Sequence, residues 1–102
     1  MSVAPVLAAL GDESRLRIVS KLCNGGPLSI AKLAEGSGIS RQAVTKHLNA
    51  LHAAGLVRSR RQSRERIWTL DPRRLEEVRR YLEQISKQWD VALQRLRATV
   101  EE

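Results

Sequence analysis

The 102 residues of this chain fit a single domain. Its 18 Lys and Arg against 11 Asp and Glu give a net charge of +7, which favours an anionic partner, and a hydrophobic content of 42% excludes wholesale disorder. The single cysteine excludes an intrachain disulfide and points to a reducing compartment, and no run approaches the roughly 20 apolar residues of a membrane-spanning helix. We therefore expect a soluble, cytoplasmic protein.

The first third of the sequence predicts three helices. An apolar segment at residues 3–10 comes first, and Asp12 can cap a second helix that ends in the Asn-Gly-Gly-Pro turn at 24–27. The apolar stripe of that second helix would be Leu16, Val19 and Leu22, with Ile18 beside it. Ser29 can cap a short third helix that continues to Glu35.

A fourth helix follows a turn that contains glycine. Residues 36–38 (Gly-Ser-Gly) interrupt the third helix, and Ser40 is a favourable N-cap for a helix from Arg41 to about Ala54. Gly55 occupies the position that commonly ends a helix. Two helices joined by such a short turn are the helix-turn-helix arrangement, which residues 29–54 therefore predict.

Beyond this motif the hydrophobic pattern changes to a period of two. Strands at 57–61 and 66–70 would be joined by a polar turn at 62–65. Asp71 and Pro72 then supply a cap and a favoured first residue for a long last helix.

These elements together predict a winged helix-turn-helix, a fold that is mostly α with a small β-hairpin. The predicted order is α-α-α-α-β-β-α within one domain of residues 1–102. Residues 56–70 would form the wing, and the terminal segments 1–11 and 72–102 would supply the helices of a homodimer interface.

Most of the excess positive charge lies in one quarter of the chain. Residues 41–66 carry seven basic side chains and one acidic side chain, which accounts for +6 of the net +7. Two interpretations are open: an arginine-rich surface that is merely solvated, and an electrostatic footprint for the phosphates of nucleic acid.

The helix after Ser40 has one apolar face, formed by Val44, Leu48 and Leu51. Its opposite face is centred on Gln42, Lys46 and Asn49, with Ala43 and Thr45 at the edges. Glutamine can bind adenine through two hydrogen bonds, and lysine suits guanine or phosphate. The face is either a DNA-reading surface or a plain solvated one, and the glycine turn before it and the basic hairpin after it favour the first.

The wing and His47 also admit two interpretations each. Arg64 and Arg66 can enter a minor groove or follow phosphates, and they can equally protect a strand edge from aggregation. His47 lies about 60° from the buried face, which favours a packed or phosphate-bonded histidine over a metal ligand. His52 is expected on the surface.

Four stretches resemble the ArsR family of winged helix-turn-helix transcriptional regulators. They are residues 9–18 (ALGDESRLRI), Leu33-Ala34, residues 39–48 (ISRQAVTKHL) and residues 51–57 (LHAAGLV). The resemblance implies a homodimeric repressor that binds double-stranded DNA at an operator with dyad symmetry and is released by an inducer. It also implies DNA-binding roles for Ser40, Arg41, Gln42, Thr45, Lys46, His47, Arg64 and Arg66.

The chain departs from the metal-sensing pattern of that family. Residues 29–35, where one type carries a Cys-x-Cys pair, contain no thiol, and residues 72–102, where another type carries imidazoles, contain no His or Cys. Since a transition-metal site needs three or four such ligands, we expect neither a metal nor another cofactor. Cys23 is either a packed thiol or an intersubunit redox partner. No catalytic constellation is present, so an enzyme is not expected.

The last helix is the candidate dimer interface. From Pro72 to about Thr99 it would be about 42 Å long, with an apolar stripe that a monomer this small could hardly cover. The predicted interface consists of Val6, Leu7, Leu10, Leu82, Ile85, Trp89, Leu93 and Leu96. Twofold symmetry would place two reading helices about 34 Å apart, which predicts an imperfect palindrome.

The leading hypothesis is thus a dimeric, sequence-specific transcriptional regulator, a repressor that does not respond to metals. Two alternatives remain open at this point. One is a non-specific architectural DNA-binding protein, and the other is a protein-interaction module that uses the long last helix.

Overall fold

The computed structural model describes the backbone of residues 2–101 and the side chains of residues 2–100. Its elements are α1 (Ala4–Leu10), α2 (Glu13–Gly25), β1 (Leu28–Ser29), α3 (Ile30–Ala34), α4 (Arg41–Ala53), β2 (Val57–Gln62), β3 (Glu65–Leu70) and α5 (Pro72–Glu101). This confirms the winged helix-turn-helix and its predicted order, with one added strand. The predicted domain ends, Met1 and Glu102, lie outside the described residues.

The added strand β1 makes the wing part of a three-stranded antiparallel sheet in the order β1-β3-β2. Leu28 pairs with Trp68 and Ser29 with Ile67, so the start of the helix-turn-helix is attached to the wing. A two-residue strand is too short to show a period, which is why the sequence did not predict it.

The hairpin turn is tighter than predicted. The strands extend to Gln62 and from Glu65, which pair with each other, and leave a two-residue turn instead of the expected four. Ser63 in this turn has a φ of +56°, which suits the twist of a two-residue hairpin.

Local capping fixes the ends of the helices, as predicted. The side chains of Asp12, Ser29 and Ser40 each accept a hydrogen bond from the backbone N–H three residues later. At the other end of α4, Gly55 has a φ of +81° and donates to the His52 carbonyl, while the N–H of the next residue donates to the Leu51 carbonyl. This pair of bonds is a Schellman motif, which stops α4 where the wing begins.

The core lies between α2, α4, the sheet and the inner face of α1. Its fully buried side chains are Val6, Leu33, Val44, Leu48, Leu51, Leu56 and Val57. Two expectations were wrong. Val6 was predicted at the dimer interface but is 0% exposed in its own core, and Leu16 was predicted on the buried stripe of α2 but is 51% exposed. On α2 the buried residues are Ile18 and Leu22, one turn apart.

Helix α5 extends away from this core. Its first two turns bury Arg74 and Val78, whereas residues 79–100 are exposed apart from the half-buried Ile85. The molecule is consequently elongated, with a longest dimension of 63 Å. None of the helices within residues 2–101 combines the length and the apolar content that crossing a membrane requires.

Candidate nucleic-acid interface

Helix α4 presents the polar face that its sequence predicts. Val44, Leu48 and Leu51 anchor its inner face in the core, and this fixes the opposite face towards solvent. Arg41, Gln42, Lys46 and Asn49 are exposed there. Thr45 is half-buried and donates its hydroxyl to the Arg41 carbonyl at 2.9 Å.

The wing lies beside the N-terminal half of α4, and a groove separates them. Its walls are Arg41, Gln42 and Thr45 on one side and Arg64, Glu65 and Arg66 on the other, with residues 29–31 at its base. The structure therefore brings together five of the eight predicted DNA-binding residues. Lys46 lies on the exposed face of α4 outside this groove, and Ser40 caps the helix with its hydroxyl bonded to the Ala43 N–H at 3.1 Å.

His47 is turned towards α2. Its side chain is half-buried, and Nδ1 lies 4.0 Å from Oδ1 of Asp12. The backbone N–H of Arg15, donated to that carboxylate, is the main cause that lowers the pKa of Asp12, with the charges of Arg15 and His47 acting in the same direction. This is the geometry of a packed histidine that orients α4, one of the two interpretations favoured from the sequence.

Most of the positive charge on α4 and the wing is not neutralised by neighbouring carboxylates. The exception on the wing is Arg58, whose Nε lies 3.9 Å from Oδ2 of Asp71. Within the described side chains, the ion pairs include none made by Arg41, Lys46, Arg60, Arg61, Arg64 or Arg66. Arg66 instead donates to the Ser59 hydroxyl at 2.9 Å, which holds it on the wing. On α5, by contrast, Arg79 contacts Glu76 and Glu83 at 2.7 and 2.9 Å. A basic surface with free guanidinium groups is one that can bind phosphates.

Asn49 extends this surface towards the C-terminal half of α4. It lines a second groove with Thr45, His52, Ser59, Arg66 and Trp68. His52 is exposed as expected and meets the ring of Trp68 edge-on, with the ring centroids 6.4 Å apart. The helical periodicity places Asn49 on the outward face, but the family resemblance left it out of the predicted DNA-binding residues.

No cluster of three or more His, Cys, Asp or Glu side chains suited to a metal occurs in the part of the chain that the structure describes. Cys23, near the end of α2, is exposed, so the interpretation as a packed thiol was wrong. Its neighbour Leu22, rather than the thiol, fills the core at that position.

Comparison with known proteins gives a consistent result. A family model described as "Bacterial regulatory protein, arsR family" matches residues 12–59, from the N-cap of α2 to the start of the wing. The HTH-type transcriptional regulator Rv2034 of Mycobacterium tuberculosis is 39% identical over 85 residues, which cover 83% of this chain and 76% of that protein.

Solved structures extend the likeness to the fold. An ArsR-like transcriptional regulator from Rhodococcus sp. RHA1 is 42% identical, with a TM-score of 0.73. The match covers 89% of this chain and 85% of that protein's chain. A winged helix-turn-helix DNA-binding domain from Mycobacterium bovis, described as homodimeric in its solution NMR structure, is 27% identical with a TM-score of 0.67. It covers 89% of this chain and 81% of that fragment.

Proposed function

The chain belongs to the arsR family of bacterial regulatory proteins and is a DNA-binding transcriptional regulator, and from this premise we propose that it acts as a homodimeric, sequence-specific repressor of a palindromic operator. The observation that carries the proposal is the basic surface of α4 and the wing, where Arg41, Lys46, Arg60, Arg61, Arg64 and Arg66 make no ion pair among the described side chains. Phosphates on both sides of a major groove are the ligands that such a surface neutralises.

In this proposal the two parts of the surface have different tasks. Gln42, Thr45 and Lys46 lie on the exposed face of a helix whose inner face is locked into the core, so they can meet base edges in a defined register. Arg64 and Arg66 lie on the wing, at the other wall of the groove between the wing and α4. There they would contact the phosphate backbone or the minor groove of the DNA. Sequence preference would come from the first set, and sequence-independent affinity from the second.

The exposed apolar stripe of α5 supports the homodimer. Leu82, Trp89, Leu93 and Leu96 are between 46% and 64% exposed in the single chain, although they repeat at helical spacing. Leu7 lines a groove between α1 and α5 with Tyr81, so α1 lies beside the N-terminal part of α5. The Mycobacterium bovis domain described as homodimeric supports the same assembly here.

A dimer on a palindrome that overlaps a promoter would occlude the polymerase, which is the basis for proposing repression. We further propose that the release signal is not a transition metal, because the segments that carry the ligands in metal-sensing relatives lack Cys and His here. The inducer would then be something other than a transition-metal ion.

Fluorescence anisotropy with a duplex from the protein's own promoter region, beside a scrambled duplex of equal length and composition, tests the proposal. We expect binding to the promoter duplex to be at least about a thousandfold tighter. Equal affinity for both duplexes would indicate an architectural protein, and no binding to either at about 100 mM salt would indicate an interaction module.

Repression and metal independence are tested separately. A promoter–reporter fusion should show higher expression when the regulator gene is deleted, whereas lower expression would identify an activator. Zinc, nickel or cobalt added at micromolar concentration should leave the affinity for the promoter duplex unchanged. Release of the duplex by any of these ions would contradict the proposed metal independence.

A further inference from the structure

Arg74, near the start of α5, is the one charged side chain that is buried in the described part of the chain. It is 7% exposed, although the other arginines of α5 in ion pairs are mainly solvent-facing. A guanidinium group removed from water is retained only where its donors are satisfied by well-placed acceptors. The partners of Arg74 therefore indicate what this residue does.

Three separate segments supply those partners. Nε of Arg74 donates to the carbonyl of Ala54 at 3.3 Å, Nη2 donates to the carbonyl of Ser2 at 2.8 Å, and Nη1 donates to Oε2 of Glu77 at 2.7 Å. The planar fork of arginine can hold these three acceptors at once, which a lysine ammonium on a flexible stem cannot do with the same geometry. One side chain thus connects the end of α4, the segment before α1 and the first turns of α5.

The contact with α4 is made at its C-terminus. Ala54 is the C-cap of that helix, and a cation placed there is favoured by the helix dipole. A Cβ at Gly55 would lie 3.6 Å from Nε and 3.9 Å from Cδ of Arg74, so the arginine packs directly on the glycine. Close beside it, the backbone N–H of Asp71 donates to the Leu56 carbonyl at 2.8 Å. The start of α5 is attached to the end of α4 at two points.

From this geometry we infer that Arg74 is a positioning residue for DNA binding, which holds α4 at a fixed angle to α5. The inference rests on the proposed function, because α5 would carry the dimer interface and α4 the reading face. The junction at Arg74 would then determine the distance and angle between the two reading helices. Those quantities decide which half-site spacing the dimer accepts.

A distance measurement within one chain tests the junction without DNA. Spin labels are placed at Lys46→Cys on α4 and Gln88→Cys on α5 in a Cys23→Ser background, and the labelled chain is diluted with unlabelled protein. We expect one narrow distance distribution with Arg74 present, and a broadened or shifted one in Arg74→Ala. Arg80→Ala is the matched control: it removes an exposed arginine of the same helix and should leave the distribution unchanged.

A set of palindromic duplexes in which the half-sites are moved apart or together by one and two base pairs tests the consequence for binding. We expect Arg74→Ala to lose at least about tenfold in affinity for the natural spacing and to discriminate less between spacings. Affinity for scrambled duplex should change by no more than about twofold, because the basic surface is intact. Arg74→Lys should lie between the two, since it keeps the charge but carries its donors on a single nitrogen.

Three outcomes would overturn the inference. The first is an Arg74→Ala dimer with the spacing preference and distance distribution of the wild type, and the second is an equal loss of affinity for every duplex in parallel with thermal stability. If Arg74→Ala does not fold, Arg74→Lys is used in its place. The third outcome is then that Arg74→Lys behaves like the wild type in both the distance and the spacing measurements. Equal binding of the wild-type protein to operator and scrambled DNA would instead overturn the proposed function. The distance measurement uses no DNA, so it tests the junction at Arg74 independently of that result.

Discussion

The imidazole Nδ1 of His47 lies 4.0 Å from Oδ1 of Asp12, which places the middle of α4 against the N-terminus of α2. The same carboxylate accepts the backbone N–H of Arg15 at 3.0 Å and so begins α2. One short side chain therefore both starts a core helix and contacts the helix that we propose reads DNA. A change at Asp12 should affect stability and the orientation of α4 together.

Asp12→Asn should lower the free energy of unfolding near neutral pH, because the amide can still cap α2 but loses the charge. The pKa of Asp12 is lowered in the folded protein, mainly by the Arg15 N–H and also by the charges of Arg15 and His47. The ionised carboxylate therefore stabilises the fold above its ordinary pKa of 3.8, and this stabilisation is lost as the pH falls through the lower folded value.

Urea denaturation of the wild type and Asp12→Asn at a series of pH values measures this dependence. We expect a difference near neutral pH that shrinks towards pH 3. A difference that stayed the same into the acid range would mean that hydrogen-bond geometry, and not charge, distinguishes the two proteins.

Gln42→Ala and Arg64→Ala should affect binding in different ways. Loss of Gln42 removes a base-edge contact and should cost about 1–3 kcal/mol on the operator while leaving scrambled duplex nearly unaffected. Loss of Arg64 removes a phosphate contact, so it should weaken both duplexes and reduce the slope of log K against log salt by about 1. Arg97→Ala, which removes the same charge from the exposed far part of α5, is the matched control.

Anisotropy titrations at several salt concentrations separate these effects. If Gln42→Ala and Arg64→Ala reduced the affinity for both duplexes equally, the division between a reading helix and a supporting wing would be incorrect. If Arg97→Ala matched Arg64→Ala, total charge rather than the position of the wing would explain the loss.

Leu48→Ala should be far more destabilising than Leu16→Ala, although both leucines lie on helices of the same length. Leu48 is 0% exposed in the core, so its truncation leaves a cavity and should lower the free energy of unfolding by about 2–5 kcal/mol. Leu16 is half exposed, so its truncation should cost no more than about 0.5 kcal/mol. Urea denaturation of both variants at one fixed protein concentration makes the comparison, since a dimer's stability depends on concentration. Equal losses would contradict the burial assigned to α2.

These two leucines also show which buried helix faces could be predicted from the sequence and which could not. The inner face of α4 was predictable, because one 3-4 spaced stripe stands opposite an unbroken polar face. On α2, Leu16 and Ile18 are separated by about 200° around the helix, and both belong to apolar sets. Only packing against the other helices and the sheet selects Ile18, so the local pattern could not decide between them.

The same distinction holds for the site. Caps at Asp12 and Ser40 and the stop at Gly55 depend on a few neighbouring residues, and all three were predicted. The buried position of Arg74 depends on acceptors up to 72 residues away, which no local pattern contains. The burial of Val6 likewise depends on how α1 packs onto the core. The sequence predicted the whole apolar segment as part of the dimer interface, but the structure gives it an inner and an outer face.

Trp89→Glu should dissociate the dimer, and Val91→Glu should not. Both side chains are exposed on α5 in the single chain, at 64% and 48%, but they lie about 200° apart around the helix. Trp89 shares a face with Leu82, Leu93 and Leu96, whereas Val91 lies on the opposite face. Two buried tryptophans per dimer, at about 1.5–3 kcal/mol each, imply a loss of roughly a hundredfold or more in dimer affinity.

Light scattering at micromolar concentration measures the outcome directly. Trp89→Glu should return the 11.5 kDa of one chain, and Val91→Glu should return the mass of two. The promoter duplex adds an independent readout, because a monomer contacts one half-site and should bind far more weakly than a dimer. A monomeric Val91→Glu would place the interface on the other face of α5, and a dimeric Trp89→Glu would remove this stripe from the interface altogether.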